Sequence, residues 1–508
     1  MNIQKIIIVC LLANITNISE FKSVIAERNN AIQPIEQYHS IEGIWKCTPE
    51  TAFTFSHGAL EYGFRIACDS SGQFIVNGFQ LWDDEYKEKW QLVDCQYNEQ
   101  ARLLTMPDAD GNIFKGTLDK NDSTITGYIH AKNTNQDVAL NLVRADKKLE
   151  IALFYPRLPD ANGNVSYSYH TPEQIDDDLQ TASITEAGVN TESIGYLLQD
   201  IINQDYGRLE SLLISKDGQL LLEEYFYGYD RTRLHRINSC TKSVTSLLLG
   251  IAKERHHEFS IEQKLFDFFP QYDSLKTKEN ERITIENVLT MTSGFQWHEI
   301  PKEMYISDNR IEYILSRPME TPPGKKFLYN SGGTQLIGTV LMSLEGPDIL
   351  YFADSSLFEP LGITDYVWDI YKNGALEYWR GLHMRPRDMA KLGQLVLNNG
   401  VWNGKQIVPS AWIQESTKPR VAESKYFRYG LHWWYRDKDC IPWWKPSNED
   451  SSKQHDLIVA LGFGGNYIII IRDLNLVVVT TASDNDNDNN GLKKVPMVIE
   501  RIIPLFAD

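Results

Sequence analysis

A short motif near the middle of the chain, Ser239-x-x-Lys242 at the start of a predicted helix, most constrains how this sequence can fold. Apolar residues recur at i, i+3, i+4 and i+7 from Val244, which is the spacing of a helix with one buried face. Asn238 is a favourable N-cap, so we expect the helix to begin there, with Ser239 in its first turn. Lys242 would then lie one turn above Ser239 on the same face.

A serine and a lysine one helical turn apart have a chemical use. A serine hydroxyl is a weak nucleophile until a base takes its proton. A lysine that is shielded from water has a lowered pKa and can be that base. The motif alone is weak evidence, because Ser19-x-x-Lys22 is a second copy. An ordinary serine at a helix N-terminus is the simple alternative.

The size and charge of the chain narrow the classes of protein to which it can belong. At 508 residues it is too long for one simple core, and two domains are expected. Apolar residues make up 42% and charged residues 23%, as in ordinary globular proteins. The formal net charge of −18 argues against nucleic acid or an anionic membrane surface as the main partner.

The N-terminal third divides into three predicted segments. Residues 1–26 resemble a secretory signal peptide, with Lys5 before a short apolar run and Val24-Ile25-Ala26 as a cleavage site, which predicts a periplasmic or secreted protein. Residues 35–150 alternate short apolar runs with turn residues, which predicts a small all-β, barrel-like domain. Residues 151–190 are polar and predict a linker. A disulfide among Cys47, Cys68 and Cys95 fits this compartment, although its pairing stays open.

The remainder, residues 191–508, has strands at both ends and helical patterns between them. Leu212 to Leu222 around Asp217-Gly218 predict a hairpin, and Tyr467 to Thr480 around Asp473-Leu474-Asn475 predict a second one. Helical patterns fill most of the interval. We therefore expect an α+β domain in which an antiparallel sheet, formed by both termini and flanked by helices, carries a helical insertion.

Two later segments add chemistry to the Ser239 motif. Tyr329 lies in the glycine-rich stretch 327–333, where a phenol beside a lysine could share proton transfer. The segment Gly462 to Tyr467 opens the last predicted hairpin, and its glycines would let a substrate lie along the strand edge. The backbone N–H of Asn466, with that of Ser239, could form an oxyanion hole. A packed loop tyrosine and a β-bulge are the structural alternatives.

In this order, the segments Ser239-x-x-Lys242, Tyr329-Asn330-Ser331 and Phe463-Gly464-Gly465 resemble the serine β-lactamase and penicillin-binding superfamily. The similarity covers residues 191–508 and is to the class C-like branch, which includes esterases and 6-aminohexanoate-dimer hydrolases. The resemblance implies a β-lactamase-like fold in which Ser239 is acylated. It also implies that Lys242 and Tyr329 exchange the proton and that Asn466 supplies the second oxyanion N–H.

Two departures from the family pattern bear on the substrate. Ser331 stands where the family has asparagine, and Phe463 stands where the family often has a lysine that meets a substrate carboxylate. Both resemble the esterase and amide-hydrolase members. The residues expected to contact substrate share their place in or beside these motifs: Ser331, Trp434, Phe463, Gly464 and Gly465.

The sequence therefore predicts a serine hydrolase that cleaves small ester or amide bonds through an acyl-enzyme on Ser239. The alternatives are a β-lactamase or penicillin-binding type peptidase, and a catalytically inactive envelope-binding module. No cofactor and no metal are needed by this chemistry. The expected partner is a small ester or amide; nucleic acid and a membrane span are not expected, because no apolar run reaches the required length. The N-terminal domain could dock to an envelope partner.

Overall fold

The computed structural model describes two parts of the chain. These are residues 41–144, with gaps at 42, 48–53, 56–57, 60, 69–73, 83–84, 108–112 and 133–135, and residues 167–507, with gaps at 203–204, 208, 227–228, 300–303, 305–306, 308, 372–373, 443–454 and 483–491. The predicted signal peptide, residues 1–26, and residues 151–166 of the predicted linker lie outside the described residues. The chain forms two compact units, Met1–Ser166 with Phe226–Gly228, and Tyr167–Tyr225 with Tyr229–Asp508.

The first unit is built on one antiparallel sheet that closes on itself, because Gly43–Cys47 pairs with both Glu61–Cys68 and Gln136–Arg144. This confirms the small, barrel-like β domain. Its strands follow one another in the chain: Gly43–Cys47, Glu61–Cys68, Phe74–Trp82, Glu85–Asn98, Leu103–Pro107, Ile113–Leu118, Thr124–Ala131 and Gln136–Arg144. A separate short pair is formed by Thr54–Phe55 and Gly58–Ala59.

Alternation along the strands fills the interior of this sheet. In Leu103–Pro107 and Ile113–Leu118 every second residue is buried, including Leu104 and Phe114. Trp45 is fully buried, and its indole Nε1 donates a hydrogen bond to the carbonyl oxygen of Ile41 at 2.9 Å. A buried indole N–H needs such an acceptor. The core of this unit is therefore apolar, and the one polar atom of the Trp45 side chain is hydrogen-bonded.

The second unit contains a nine-stranded sheet, antiparallel except for its first pair. Both predicted hairpins are confirmed, as Ser211–Lys216 with Gln219–Tyr225 and as Asn466–Ile471 with Leu476–Thr481. The order across the sheet is Gln180–Thr181, Gln219–Tyr225, Ser211–Lys216, Leu476–Thr481, Asn466–Ile471, Leu457–Gly462, Trp434–Arg436, Arg428–Tyr429 and Val421–Ala422. Strands from both ends of the unit thus meet at its centre, as expected for a sheet with a helical insertion.

The α-helices of the described residues are α1 (Thr191–Ile202), α2 (Cys240–Arg255), α3 (Ile285–Leu289), α4 (Arg310–Leu315), α5 (Ser331–Glu345), α6 (Ile349–Ala353), α7 (Pro386–Leu397), α8 (Ser410–Thr417) and α9 (Lys494–Met497). After α9 the chain continues as a π-helix, Val498–Ile502, and a 3-10 turn, Ile503–Leu505. Helix α2 packs on α5 and on strand Leu457–Gly462, while α7 packs on strand Leu476–Thr481. The α+β architecture is confirmed.

Helix α2 differs from its prediction in one respect. The sequence predicts a single buried face, but every residue from Cys240 to Ala252 is buried. The small residues of this stretch, such as Gly250, let neighbouring elements approach on the remaining sides. A helix enclosed in this way holds the side chains of its first turn in fixed positions.

Residues 167–190, which fall within the predicted linker, contribute to the second unit. Gln180–Thr181 pairs in parallel with Gln219–Tyr225. The Tyr169 hydroxyl donates to the carbonyl oxygen of Leu221 at 2.9 Å and accepts from the N–H of Ile184 at 2.8 Å. The exact bounds of the domains and linker stay predictions.

Among the described residues, no single helix has the length and apolar character to cross a membrane. The bent pair Ser331–Glu345 and Ile349–Leu361, with 88° between its halves, meets that test by length and composition alone.

Candidate active site

Ser239 sits at the junction between a sharp turn and helix α2. The helix begins at Cys240 with Ser239 as its N-cap, so the predicted start at Asn238 is wrong. Asn238 has a φ of 49°, a left-handed conformation that asparagine tolerates better than most residues. Its side-chain Nδ2 donates to the carbonyl oxygen of Phe463 at 3.0 Å. The asparagine therefore joins the entrance of α2 to the last hairpin and leaves Ser239 half-buried.

Lys242 is a buried amine directed at Ser239. Its Nζ lies 2.9 Å from Ser239 Oγ and 3.1 Å from the carbonyl oxygen of Trp379, and the residue is only 1% exposed. Burial lowers the pKa of Lys242 to about 7, against an opposing contribution from the Glu299 carboxylate. The amine is thus available in its neutral form near neutral pH, which is what a general base requires.

Tyr329 completes a cluster of three polar groups. Its ring centroid lies 4.9 Å from Lys242 Nζ. Burial raises the pKa of Tyr329, and the interaction of its hydroxyl with Ser239 opposes that rise. Tyr329 is therefore a protonated phenol at neutral pH. The structure brings together the hydroxyl, the amine and the phenol that the sequence placed in one site.

Tyr329 belongs to a group of packed aromatic rings, here called the aromatic wall. Its members are Tyr329, Trp434, Tyr429, Phe327 and Phe427. The rings of Tyr329 and Trp434 are stacked, with centroids 5.7 Å apart and planes at 27°. Tyr429, Phe427 and Phe327 meet Trp434 edge-on or tilted, at 4.9, 5.5 and 6.0 Å. Trp434 is half-buried, so the wall presents some aromatic surface, and the predicted contact of Trp434 with substrate stays a prediction.

The turn Phe463–Gly465 approaches α2 from the last hairpin. Its carbonyl at Phe463 accepts hydrogen bonds from Asn238 Nδ2 and from Asn466 Nδ2, at 3.0 and 2.9 Å. The φ angles of Gly464 and Gly465 are 83° and 104°, which side chains other than glycine rarely adopt. The Phe463 side chain is 47% exposed. These anchors present an apolar ring at the surface next to the Ser239 turn.

Asn466 lies next to the start of helix α2. The thiol of Cys240 donates to the carbonyl oxygen of Asn466 at 3.0 Å, and Cys240 follows Ser239 directly. The Asn466 side chain is buried and also donates to the carbonyl oxygen of Ala482 at 3.0 Å. The assignment of the N–H groups of Ser239 and Asn466 to an oxyanion hole fits this proximity and stays a prediction.

Ser331 has a different place from the other predicted contact residues. It is the first residue of α5 and only 1% exposed, and its hydroxyl has no hydrogen-bond partner among the described residues. Its backbone N–H faces a carboxylate oxygen of Glu299 at 3.4 Å. A direct contact of the Ser331 hydroxyl with substrate would need this burial to change, so that role also stays a prediction.

A loop that no sequence motif indicated brings the carbonyl oxygen of Trp379 to the amine of Lys242. Arg236 Nη2 donates to Asp369 at 2.5 Å and to Glu377 at 2.9 Å, and Arg380 Nε donates to Glu377 at 2.9 Å. These pairs fix the loop whose carbonyl at Trp379 accepts from Lys242. Arg236 is more than 130 residues away from both of its partners in the chain, so no local pattern could have indicated these two pairs.

His432 and Glu299 were also not assigned. His432 is 1% exposed with a φ of 63°, and burial lowers the pKa of its ring to about 3, which makes it a neutral side chain in the core. Its carbonyl accepts from the Ser243 hydroxyl at 2.7 Å, which ties it to α2. Glu299 is exposed and close to the site. In the described part of the chain, no group of His, Cys, Asp or Glu side chains is arranged to hold a metal ion.

Comparisons with known proteins match this same region. A family model described as Beta-lactamase matches residues 208–495. A Salmonella typhi protein with the provisional name D-alanyl-D-alanine carboxypeptidase is 21% identical over 329 residues, covering 50% of this chain and 75% of that protein. A solved structure from Bacillus anthracis, provisionally named 6-aminohexanoate-dimer hydrolase, is similar with a TM-score of 0.49 and 21% identity, covering 66% of this chain and 87% of that one. A penicillin-binding protein structure from Bacillus halodurans has a TM-score of 0.45 and 16% identity, with 59% and 98% covered.

Proposed function

The chain belongs to the beta-lactamase family, whose members are serine hydrolases, and from that premise we propose that it cleaves small ester or amide bonds through an acyl-enzyme on Ser239. The observation that carries the proposal is the 2.9 Å contact between the buried amine of Lys242 and the Ser239 hydroxyl. Tyr329, whose ring lies 4.9 Å from the Lys242 amine and whose pKa responds to the Ser239 hydroxyl, adds a second proton-transfer group to the site.

The proposed reaction has two halves. In the first, Ser239 Oγ attacks the substrate carbonyl carbon while its proton moves to the neutral Lys242 amine, directly or through the Tyr329 hydroxyl. The backbone N–H groups of Ser239 and Asn466 would hold the resulting oxyanion. Collapse of the tetrahedral species breaks the ester or amide bond, and the leaving group takes the proton. In the second half, a water molecule gives its proton to the same groups and attacks the acyl carbon, which releases the acid and restores Ser239.

The surroundings of Ser239 favour substrates with an apolar acyl group or leaving group. The aromatic wall and the exposed Phe463 ring, whose backbone is bonded to Asn238, offer apolar contacts near the serine turn. Phe463 cannot pair with a substrate carboxylate, as the lysine found there in many relatives would. We therefore place the chain with esterases and amide hydrolases. We also infer a periplasmic or secreted location from the signal-like pattern of residues 1–26, which N-terminal sequencing of the mature protein would test.

Turnover of 4-nitrophenyl butyrate tests the proposal. The wild type should hydrolyse this ester and Ser239→Ala should lose at least about 10³-fold in kcat. A Ser343→Ala variant, which removes an exposed hydroxyl on α5, is the matched control and should keep the wild-type rate. Covalent labelling by a fluorophosphonate should follow the same pattern, with the adduct on Ser239. Equal rates for the wild type and Ser239→Ala would refute the assignment, and absence of labelling would favour an inactive binding module.

A β-lactamase or peptidase activity is the nearest alternative, and the name of the Salmonella typhi relative gives it a specific basis. Hydrolysis of a chromogenic cephalosporin distinguishes it. We expect turnover of this carboxylate-bearing substrate to be far slower than that of the short-chain ester, because no cationic side chain stands at position 463. Rapid cephalosporin hydrolysis would overturn the ester and amide preference while leaving the role of Ser239 intact.

A further inference from the structure

Glu299 places an exposed carboxylate beside the candidate active site. Its Oε2 accepts a hydrogen bond from the indole Nε1 of Trp297 at 3.2 Å and faces the backbone N–H of Ser331 at 3.4 Å. Its other oxygen accepts no hydrogen bond from the described residues. Trp297 is 3% exposed, so one side of the carboxylate is anchored on the protein while the residue remains open to solvent.

The charge of this carboxylate reaches both the catalytic groups and the aromatic wall. Its negative charge opposes the lowering of the Lys242 pKa by burial, and it adds to the rise that burial causes in the pKa values of Tyr329 and Tyr429. Tyr329 lies only two residues before Ser331, whose N–H faces Glu299. The carboxylate therefore lies against the segment that carries Tyr329, whose ring in turn contacts that of Tyr429 at 6.4 Å.

A carboxylate next to stacked aromatic rings is a favourable environment for an organic cation. Ammonium groups are attracted to the faces of tryptophan and tyrosine rings, and a carboxylate adds a charge-assisted contact. The nearby basic side chains do not neutralise the Glu299 carboxylate. Arg380 donates to Glu377 at 2.9 Å, and Lys242 acts as a base only when neutral. The net charge of −18 would also attract cationic molecules towards the protein.

We propose that Glu299, together with the aromatic wall at Tyr329 and Trp434, forms a subsite for an ammonium group carried by the substrate. This inference rests on the proposed hydrolase function and narrows its substrate class to esters or amides that bear a positive charge. The ammonium would sit between the open carboxylate oxygen of Glu299 and the half-buried rings of Tyr329 and Trp434, with the scissile carbonyl at Ser239.

A purely structural role for Glu299 is the competing explanation, since its carboxylate faces the first N–H of α5. Glu299→Gln separates the two, because a glutamine oxygen can accept the same hydrogen bonds from Trp297 and Ser331 while the charge is lost. Glu258→Gln is the matched control. Glu258 is 79% exposed and lies beyond the C-terminal end of α2, on the order of 25 Å from Ser239 along the helix.

The test compares pairs of substrates that differ only in charge. In the first pair, butyrylthiocholine and its neutral isostere 3,3-dimethylbutyl thiobutyrate, the cation lies in the leaving group. In the second pair, 5-aminopentanoyl 4-nitroanilide and hexanoyl 4-nitroanilide, the cation lies in the acyl group. In at least one pair, Glu299→Gln should reduce the ratio of kcat/KM for the cationic over the neutral substrate about tenfold relative to the wild type. Glu258→Gln should keep the wild-type ratio. A change in the basicity of Lys242 alters kcat/KM for both substrates of a pair alike, so it cancels in their ratio.

A binding measurement keeps this proposal separate from the hydrolase proposal. Ser239→Ala and Ser239→Ala/Glu299→Gln are titrated with hexyltrimethylammonium, and the second variant should bind about tenfold more weakly. Loss of affinity without turnover of any ester by the wild type would retain the cation subsite and reject the hydrolase. Ester turnover with unchanged ratios in both pairs and unchanged affinity would retain the hydrolase and overturn the cation subsite.

Discussion

Lys242 is an amine that the fold holds out of water at the point where a base is needed. A lysine in solvent is protonated at neutral pH and cannot accept a proton from serine. Enclosure of α2 removes that obstacle, since burial lowers the pKa of Lys242 to about 7. The cost of burying the amine is limited by hydrogen bonds to Ser239 Oγ and to the Trp379 carbonyl. One buried side chain thus links the packing of the helix to the proposed chemistry.

The pH dependence of ester hydrolysis should report this lysine. If neutral Lys242 is the base, kcat/KM for a neutral ester should fall about tenfold per pH unit below pH 7 and level off above it. Lys242→Ala should lower kcat/KM by about 10²- to 10⁴-fold and remove the inflection. Tyr329→Phe should also reduce the rate strongly while leaving the melting temperature close to that of the wild type. A wild-type profile without a break near pH 7 would contradict the assignment.

The same lysine should lower the stability of the protein. Burial shifts the pKa of Lys242 from 10.5 to about 7 on folding, so between these values the unfolded chain binds more protons. The resulting penalty is fully present below pH 7 and fades as the pH rises towards 10.5. Lys242→Met should therefore raise the melting temperature, by about 2–4 °C for each kcal/mol gained, and by more at pH 6 than at pH 9. Equal effects at the two pH values in thermal unfolding would contradict this account.

At the scale of elements, the packing around a helix decides whether replacing one of its glycines by alanine raises or lowers the stability of the protein. A Cβ added to Gly250 of α2 would lie 2.1 Å from Cδ1 of Trp412, whose indole Nε1 donates to the carbonyl oxygen of Ser246 at 2.8 Å. A Cβ added to Gly195 of α1 would meet nothing within 4 Å. Helix propensity favours alanine over glycine equally at both positions, so any difference between them comes from packing.

The two glycines give a matched pair of substitutions. Gly195→Ala should raise the free energy of unfolding by about 0.5–1 kcal/mol, because it restricts the unfolded chain without a clash. Gly250→Ala should lower it by about 1–3 kcal/mol, because Trp412 must move. Urea denaturation of both variants measures the two changes. A gain in stability for Gly250→Ala would mean that α2 is packed less tightly against α8 than the structure indicates.

Local sequence patterns predicted the elements better than their boundaries. Two continuous runs of mostly β-branched residues in 467–480 were enough for the last hairpin, because its strands are short and its turn is local. The start of α2 was misplaced because the Asn238 side chain bonds to Phe463, 225 residues away, and not to its own helix. The full burial of α2 also depends on partners such as Trp412, which no pattern within α2 reveals.

At the scale of the whole molecule, the candidate site is assembled from segments that are far apart in the chain. Ser239 is the N-cap of α2 and Lys242 lies in its first turn, Tyr329 comes from the loop before α5, and Asn466 comes from the last hairpin. All three of these segments carry family motifs, so the family resemblance could predict that they meet in one site. Glu299 and the Arg236–Glu377 pair carry no motif, and their roles follow only from contacts over long separations.

The bounds of the hydrolase unit can be tested by truncation. A chain of residues 167–508 retains every residue placed in the site, together with strand Gln180–Thr181, and should hydrolyse esters with the kcat of the full chain. A chain of residues 191–508 lacks that strand and the buried side chains of Leu179 and Ile184. Their loss should cost about 3–6 kcal/mol, since each such side chain contributes roughly 1.5–3 kcal/mol when buried. We therefore expect the shorter chain to melt at a clearly lower temperature in calorimetry. If residues 167–508 were folded but inactive while the full chain turned over, the N-terminal unit would be part of the catalytic machinery.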